Sequence, residues 1–176
     1  MLSVPLEYQP LIKQASVKRR VPAMMLAGLC KQESDFDPTC KSYNKSDDSW
    51  DRGICQINNK AFPYITDAQA FDPAFAIDWA AQHLRNLHDS GCVNWYETLL
   101  AYNGGMGAVY AYRKGQGYNL SYADDIFELS GLSDIATYTQ NTINVLGGMW
   151  KIDLFGREEY HQMANGLRDL MGWDRQ

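Results

Sequence analysis

The pattern of helix-forming segments, and of the residues that begin and end them, constrains the fold of this chain more than any other feature of its sequence. Apolar residues recur at helical spacing, proline and glycine stand at segment ends, and convincing strand alternation is scarce. We therefore predict an all-α, α-rich fold. The predicted helices cover residues 5–19, 22–34, 73–88, 95–102, 106–112, 121–129, 132–150 and 156–171.

Local signals place several of these boundaries. Asp37-Pro38 and Asp72-Pro73 each match an N-cap followed by a proline in the first turn, and the second pair begins the helix that runs to about His88. Gly104-Gly105 separates two short helices. In the first helix we expect the apolar side chains to face inward, namely Leu6, Leu11, Ile12, Ala15 and Val17.

Residues 41–62 resist a helical interpretation. They are polar, and they carry Asp47, Asp48 and Asp51. We predict that they form a short hairpin or an irregular loop inserted into a helical domain. No linker, repeat or low-complexity tract divides the chain, so residues 1–176 are predicted to form a single compact domain.

Composition excludes several classes of function. With a net charge of −5, the chain lacks the basic footprint of a nucleic-acid binder and has no strong attraction to anionic membranes. No stretch approaches the roughly 20 apolar residues of a membrane-spanning helix, so we expect no membrane insertion. The N-terminus has no basic region followed by an apolar one, which predicts that there is no signal peptide.

The four cysteines permit disulfides by their even number: Cys30, Cys40, Cys55 and Cys92. No Cys-x-x-Cys pair or Cys/His cluster suggests zinc, and we predict neither a metal nor a cofactor. A chain of this length does not need disulfides to fold, so reduced and mostly buried thiols are the favoured interpretation.

Glu33 is the candidate catalytic residue that the local pattern indicates. It lies four residues after Leu29, near the C-terminal end of an apolar helix, so its carboxyl group faces the buried side. Desolvation there favours the neutral acid, and the helix dipole further disfavours the anion. A general acid that holds its proton near neutral pH needs these conditions. The spacing fits equally well a structural glutamate paired with Lys31, Arg52 or Arg85.

Several segments in order resemble the soluble lytic transglycosylase domain. They are YQPLI at residues 8–12, KQESDFDP at 31–38, GICQI at 53–57, LLAYNGG at 99–105 and a later helix containing Tyr138. GICQI resembles the family's G-L-M-Q-[IV] segment, and AYNGG resembles its A-Y-N-x-G motif. The resemblance covers about residues 8–150 and implies a lysozyme-like fold with a groove for a sugar strand.

The resemblance carries roles to individual positions. It implies that Glu33 is the catalytic acid and base, that Ser34 helps to position it, and that Tyr138 faces it. The substrate-binding residues that it implies are Ser34, Gln56, Ile57, Asn58, Tyr102, Asn103 and Tyr138. Two departures from the family pattern lie nearby. Cys55 replaces the usual methionine, and an insertion around residues 42–50 places Arg52 where the family has a serine.

The substrate that the resemblance implies is the glycan strand of peptidoglycan. Cleavage falls at the β-1,4 bond between N-acetylmuramic acid and N-acetylglucosamine. Glu33 first protonates the leaving oxygen while the substrate's own 2-acetamido group stabilises the developing charge. Glu33 then removes the proton of the muramic C6 hydroxyl, which closes a 1,6-anhydro ring. This scheme uses one carboxyl group, whereas most glycosidases use two.

Hydrolysis is the alternative reaction. Goose-type lysozymes share the fold and several motifs but use water and additional aspartates. One of these aspartates lies where this chain has Asn58, and an amide cannot act as a general base, which favours the lytic reaction. The acidic loop keeps hydrolysis open, because water can be positioned by Asp47, Asp48 or Asp51.

A non-catalytic sugar-binding module or a structural piece of a virion is a further alternative. Loss of the acid would be its first sign, and Glu33 is present. We expect a monomeric phage endolysin or tail lysin. It would stay in the host cytoplasm until lysis, or travel with the virion, and act in the periplasm of a Gram-negative host.

Overall fold

The computed structural model describes residues 2–131. The chain divides into two compact units, Met1–Ser130 and Gly131–Gln176. The helices predicted over 132–150 and 156–171, together with Tyr138, lie outside the described residues. The single domain expected over residues 1–176 therefore stays a prediction.

Helices dominate the part of the chain that the structure describes. In chain order its elements are α1 (Gln9–Arg19), α2 (Ala23–Ser34), β1 (Lys41–Asn44), β2 (Ser49–Arg52), α3 (Asp67–Ala70), α4 (Pro73–Asp89), α5 (Trp95–Arg113) and α6 (Ser121–Ser130). The predicted α-rich fold is confirmed, and the inserted segment begins with an antiparallel hairpin of β1 and β2. The short helix α3 was not predicted. Between residues 2 and 131, no helix is both long and apolar enough to cross a membrane.

Two boundary signals act as predicted. The side chain of Asp72 caps α4 by accepting a hydrogen bond from the amide of Ala74, and Pro73 is the first residue of that helix. Gly105 has a φ of 67° and a ψ of −178°, which kinks α5 at the predicted break. The two short helices predicted there form one kinked element.

Two other predictions are corrected. Asp37-Pro38 does not begin a helix, because the Asp37 carboxylate accepts hydrogen bonds from the amide and hydroxyl of Thr39 and closes a turn that leads to β1. Leu6 and Val17 do not face inward, since they are 81% and 75% exposed. Leu6 precedes α1, and Val17 falls on the outer side of that helix, whose buried residues are Ile12 and Ala15.

Helix α2 is the buried centre of this unit. Every residue from Met25 to Cys30 is buried, and α1, α4 and α6 all pack against the helix. At Gly28 an added Cβ would lie 3.2 Å from the carbonyl oxygen of Ile126, so the absence of a side chain lets α6 approach closely. The C-terminal end of this central helix carries Glu33 and Ser34.

The segment after the hairpin is fixed by Arg52 and Gly53. Arg52 is buried, and its guanidinium donates to the carbonyls of Ile57 at 3.2 Å and Ile65 at 3.0 Å. Gly53 has a φ of +72°, and a Cβ there would lie 2.0 Å from the carbonyl oxygen of Ala70. Only glycine combines this conformation with this contact, so the 53–57 turn depends on it.

We predict that Gly53→Ala lowers the free energy of unfolding by at least about 2 kcal/mol, because it forces a left-handed conformation and a backbone clash together. Denaturant unfolding followed by circular dichroism measures the change. Gly107→Ala is the matched control: it has nothing within 4 Å of the added Cβ and lies within α5. That control should stay within about 1 kcal/mol of wild type, on the stabilising side. Equal effects at both glycines would contradict this account.

Candidate active site

Predicted site residues from distant parts of the chain meet in one cleft. The cleft has a volume of about 810 Å³ and lies among the end of α2, the hairpin, α4 and α5. The predicted residues that line it are Glu33, Asp47, Asp51, Gln56, Asn58, Tyr102 and Asn103. Residues separated by up to 70 positions in sequence therefore share one surface, which is the arrangement expected of a binding site.

Glu33 occupies the cleft wall at the last turn of α2. Its side chain is half-buried, and the hydroxyl of Tyr122 donates a hydrogen bond to its Oε1. Desolvation raises the pKa of Glu33 from 4.5 to about 7, the Tyr122 hydrogen bond opposes that rise, and the negative charge of Asp51 reinforces it. Near neutral pH, Glu33 is therefore poised to give up a proton or to take one.

The structural alternative for Glu33 was an ion pair with a nearby cation. Each of the three candidate cations pairs with another carboxylate: Lys31 with Asp35, Arg52 with Asp67 at 2.7 Å, and Arg85 with Asp89. Among residues 2–131, Glu33 takes part in none of the ion pairs found. Its chemistry is set by burial and by Tyr122 instead.

Tyr122 is a site residue that sequence reasoning missed. The tyrosine expected to face Glu33 was Tyr138, which lies outside the described residues. Tyr122 reaches Glu33 because α6 packs against α2, and burial and the Glu33 charge raise its pKa well above 10, so it remains a donor. The available signal was its spacing: Tyr122 lies four residues before Ile126 on the buried side of α6.

Ser34 and Ile57 do not line the cleft. The Ser34 hydroxyl contacts the carbonyl of Ile54 at 3.0 Å, which ties the end of α2 to the 53–57 turn. Ile57 is 1% exposed and belongs to the core. The positioning role of Ser34 and the substrate contacts of Ser34 and Ile57 stay predictions.

Gln56 and Tyr102 both donate hydrogen bonds to the backbone of the 53–57 turn. The Gln56 amide nitrogen donates to the carbonyls of Gly53 at 2.9 Å and Cys40 at 3.2 Å, so its oxygen is the atom left for a ligand. The Tyr102 hydroxyl donates to the carbonyl of Cys55 at 3.1 Å, and burial raises the pKa of Tyr102 well above 10. The Tyr102 bond ties α5 to this turn.

Cys55, which replaces the methionine of the family segment, belongs to the core and does not line the cleft. It is fully buried, with its Sγ 3.8 Å from the Sγ of Cys30. All four cysteines are free thiols in the structure, and Cys40 is the only one that is not buried.

Asp51 is the carboxylate of the acidic loop whose charge raises the pKa of Glu33. It is half-buried and lines the cleft, and its oxygens accept hydrogen bonds from the amides of Asn44 at 2.7 Å and Asn58 at 2.8 Å. Asn44 lies diagonally across the hairpin from Asp51, on the same face. The antiparallel register therefore orients this carboxylate toward the cleft.

Asp47 and Asp48 lie in the turn of the hairpin and accept hydrogen bonds from other hairpin residues. The Asp47 carboxylate lines the cleft but accepts from the hydroxyl and amide of Ser49, at 2.7 and 3.2 Å. Asp48 does not line the cleft and accepts from the Tyr43 hydroxyl at 2.8 Å. Both side chains are exposed, so Asp51 is the better-placed candidate for a second acid.

The opposite wall carries aromatic residues that sequence reasoning did not assign to the site. Phe62, Trp79 and His83 line the cleft together with Lys60. Trp79 and His83 lie one helical turn apart on α4, and this spacing was the signal available in the sequence. Together with the carboxylates of the hairpin, these rings give the cleft both polar and aromatic lining residues.

Comparison with known proteins adds a family assignment to this geometry. The family model for the transglycosylase SLT domain matches residues 10–124. A comparison with curated proteins returns no match. The family match spans well over half of the chain and includes the cleft residues from Glu33 to Asn103. With its α-rich lysozyme-like fold and its acid-bearing cleft, the chain belongs to the transglycosylase SLT domain family.

Proposed function

We propose that this protein cleaves the β-1,4 bond between N-acetylmuramic acid and N-acetylglucosamine with Glu33 as the only proton-transfer group, and that it leaves 1,6-anhydromuramic ends. Membership of the SLT family implies a glycosidase of the lytic transglycosylase type that acts on peptidoglycan. The observation that carries the finer proposal is one desolvated carboxyl group, with a pKa of about 7, at the wall of the cleft.

The first step needs Glu33 in its neutral form. Burial at the end of α2 keeps a large fraction of the carboxyl groups protonated near pH 7. The proton passes to the leaving glycosidic oxygen while positive charge develops on the muramic ring. The substrate's 2-acetamido group stabilises that charge, so the step requires no nucleophile from the protein.

The second step needs Glu33 as an anion. The Tyr122 hydroxyl donates to the carboxylate and stabilises it once its proton has left. Glu33 then takes the proton of the C6 hydroxyl, and that oxygen closes the anhydro ring. Burial and the Tyr122 hydrogen bond act in opposite directions on the pKa of Glu33, and their balance suits one group to both steps.

Mass spectrometry of digested Gram-negative peptidoglycan tests this proposal. Wild type should release muropeptides about one water lighter than those of a hydrolytic lysozyme. Glu33→Gln should fold normally and release none, because an amide can neither donate nor accept the proton. The matched control is the same substitution at the exposed Glu7, which should retain activity. A Glu33→Gln variant with most of the wild-type release would falsify the assignment.

Hydrolysis assisted by Asp51 is the second candidate. Asp51 lines the cleft and raises the pKa of Glu33. Most hydrolytic glycosidases use a second carboxyl group of this kind beside the acid. Asn58, whose amide favours the lytic reaction, donates to Asp51 and thereby holds this second acid in place. In the digestion above, reducing ends would support hydrolysis. Anhydro ends from both wild type and Asp51→Asn support the single-carboxyl scheme.

The pH dependence should follow the protonation of Glu33. Activity is expected below a pKa of about 7 and lost as pH rises through it, since the raised pKa keeps the acid form available up to that value. Tyr122→Phe removes the hydrogen bond that lowers the pKa, so the alkaline limb of kcat/KM should move to higher pH. Asp51→Asn removes a charge that raises the pKa, so the limb should move to lower pH.

Tyr43→Phe is the control for these profiles, because the Tyr43 hydroxyl contacts Asp48 and does not reach Glu33. The alkaline limb of its kcat/KM profile should coincide with that of wild type. Shifts of Tyr122→Phe and Asp51→Asn in the same direction would be incompatible with this electrostatic account.

The biological setting stays a prediction. A phage lysis enzyme or tail lysin that acts in the periplasm of a Gram-negative host was expected from the sequence. The proposed chemistry suits that setting but does not depend on it.

A further inference from the structure

One wall of the cleft is a stack of rings that begins on α4. The Trp79 and His83 rings lie 5.1 Å apart at an interplanar angle of 14°. The Phe62 ring lies nearly perpendicular to both, with centroid distances of 4.7 Å to Trp79 and 5.1 Å to His83. All three rings line the cleft, so their exposed faces are available to a ligand.

His83 links this aromatic wall to the catalytic side. The Tyr102 ring meets it edge-on at 5.5 Å, and Tyr102 is the residue whose hydroxyl holds the turn next to Gln56. A sugar ring against Trp79 and Phe62 therefore lies beside the Glu33 region of the same cleft. The histidine stands between these two parts.

The imidazole of His83 has hydrogen-bonding capacity that the protein does not use. Within residues 2–131 neither ring nitrogen has a hydrogen-bond partner, and the side chain is half-buried among rings. Burial lowers the pKa of His83, so the ring is neutral near pH 7 and offers one N–H donor and one acceptor nitrogen. Neither nitrogen is among the buried polar atoms without a partner in the part of the chain that the structure describes, so both are accessible from the cleft and can bond to a ligand there.

An acetamido group matches this environment better than the other groups of a glycan. It has an N–H, a carbonyl oxygen and a methyl group, which suit an acceptor, a donor and an aromatic surface. A hydroxyl lacks the apolar part. A carboxylate of the ligand would lie near a neutral imidazole and near the negative charges of Asp47 and Asp51. Lys60 is the one lysine or arginine among the described residues that line the cleft.

We infer that His83 determines specificity by hydrogen-bonding the acetamido group of a sugar bound in the cleft, with Trp79 and Phe62 packing against the same sugar. This inference rests on the proposed glycan cleavage, and it names the group by which the cleft recognises an N-acetylated strand. It adds a residue of this chain that the sequence motifs do not include.

Calorimetric binding of two neutral oligosaccharides tests the inference. Chitotetraose carries acetamido groups, and cellotetraose carries hydroxyls in their place. Glu33→Gln is the background, so that no substrate turns over. In that background His83→Phe, which keeps the stacked ring, should weaken chitotetraose binding about tenfold, as loss of a ligand hydrogen bond does, and should leave cellotetraose binding unchanged. His83→Gln, which restores a donor and an acceptor, should recover part of the loss.

Asn86→Ala is the control, because Asn86 is an exposed residue of α4 that does not line the cleft, and it should bind both sugars as the background does. In the otherwise wild-type enzyme, His83→Phe should raise KM for peptidoglycan and leave kcat nearly unchanged. Unchanged chitotetraose binding, or an equal loss with both sugars, would overturn the role of His83. Failure of the cleavage proposal would appear separately, as wild-type protein that releases no muropeptides.

Discussion

Desolvation of one carboxyl group at the end of α2 is the constraint on which the proposed active site depends. Six consecutive buried residues, Met25 to Cys30, fix α2 in the core, and Glu33 follows on the same helix. A rise in pKa from 4.5 to about 7 corresponds to about 3 kcal/mol between the two protonation states. The folded state therefore loses stability as pH rises from about 4.5 through about 7, and packing elsewhere offsets that cost.

The elements around α2 adjust the pKa of this buried carboxyl group. Close approach at Gly28 brings α6 near enough for Tyr122 to reach Glu33. On the other side, Gly53 and Arg52 hold the turn to which Ser34 and Tyr102 are hydrogen-bonded. The hairpin adds Asp51, whose charge raises the pKa that Tyr122 lowers. Packing contacts between distant elements thus determine the protonation state of Glu33.

Local patterns predicted what depends on local spacing. The burial of the Glu33 carboxyl group, the hairpin segment and the break at Gly105 all follow from residues within a few positions of each other. Tyr122, the two amides on Asp51 and the ring wall at His83 arise from packing between distant elements, which no single window of sequence contains. The prediction that Asp37-Pro38 begins a helix was wrong for a related reason. The Asp37 side chain does accept a hydrogen bond from a nearby backbone amide, but the bond closes a turn that precedes a strand.

Direct titration of Glu33 tests the central claim, that the pKa of this carboxyl group is raised. Carbon-13 NMR of the side-chain carboxyl groups of glutamate-labelled protein, with Glu33→Gln used to assign the resonance, measures the pKa without any substrate. The account predicts an apparent pKa of about 7 for Glu33. A value near 4.5, the ordinary range of an exposed glutamate, would contradict it and would remove the basis for a single carboxyl group that acts as both acid and base.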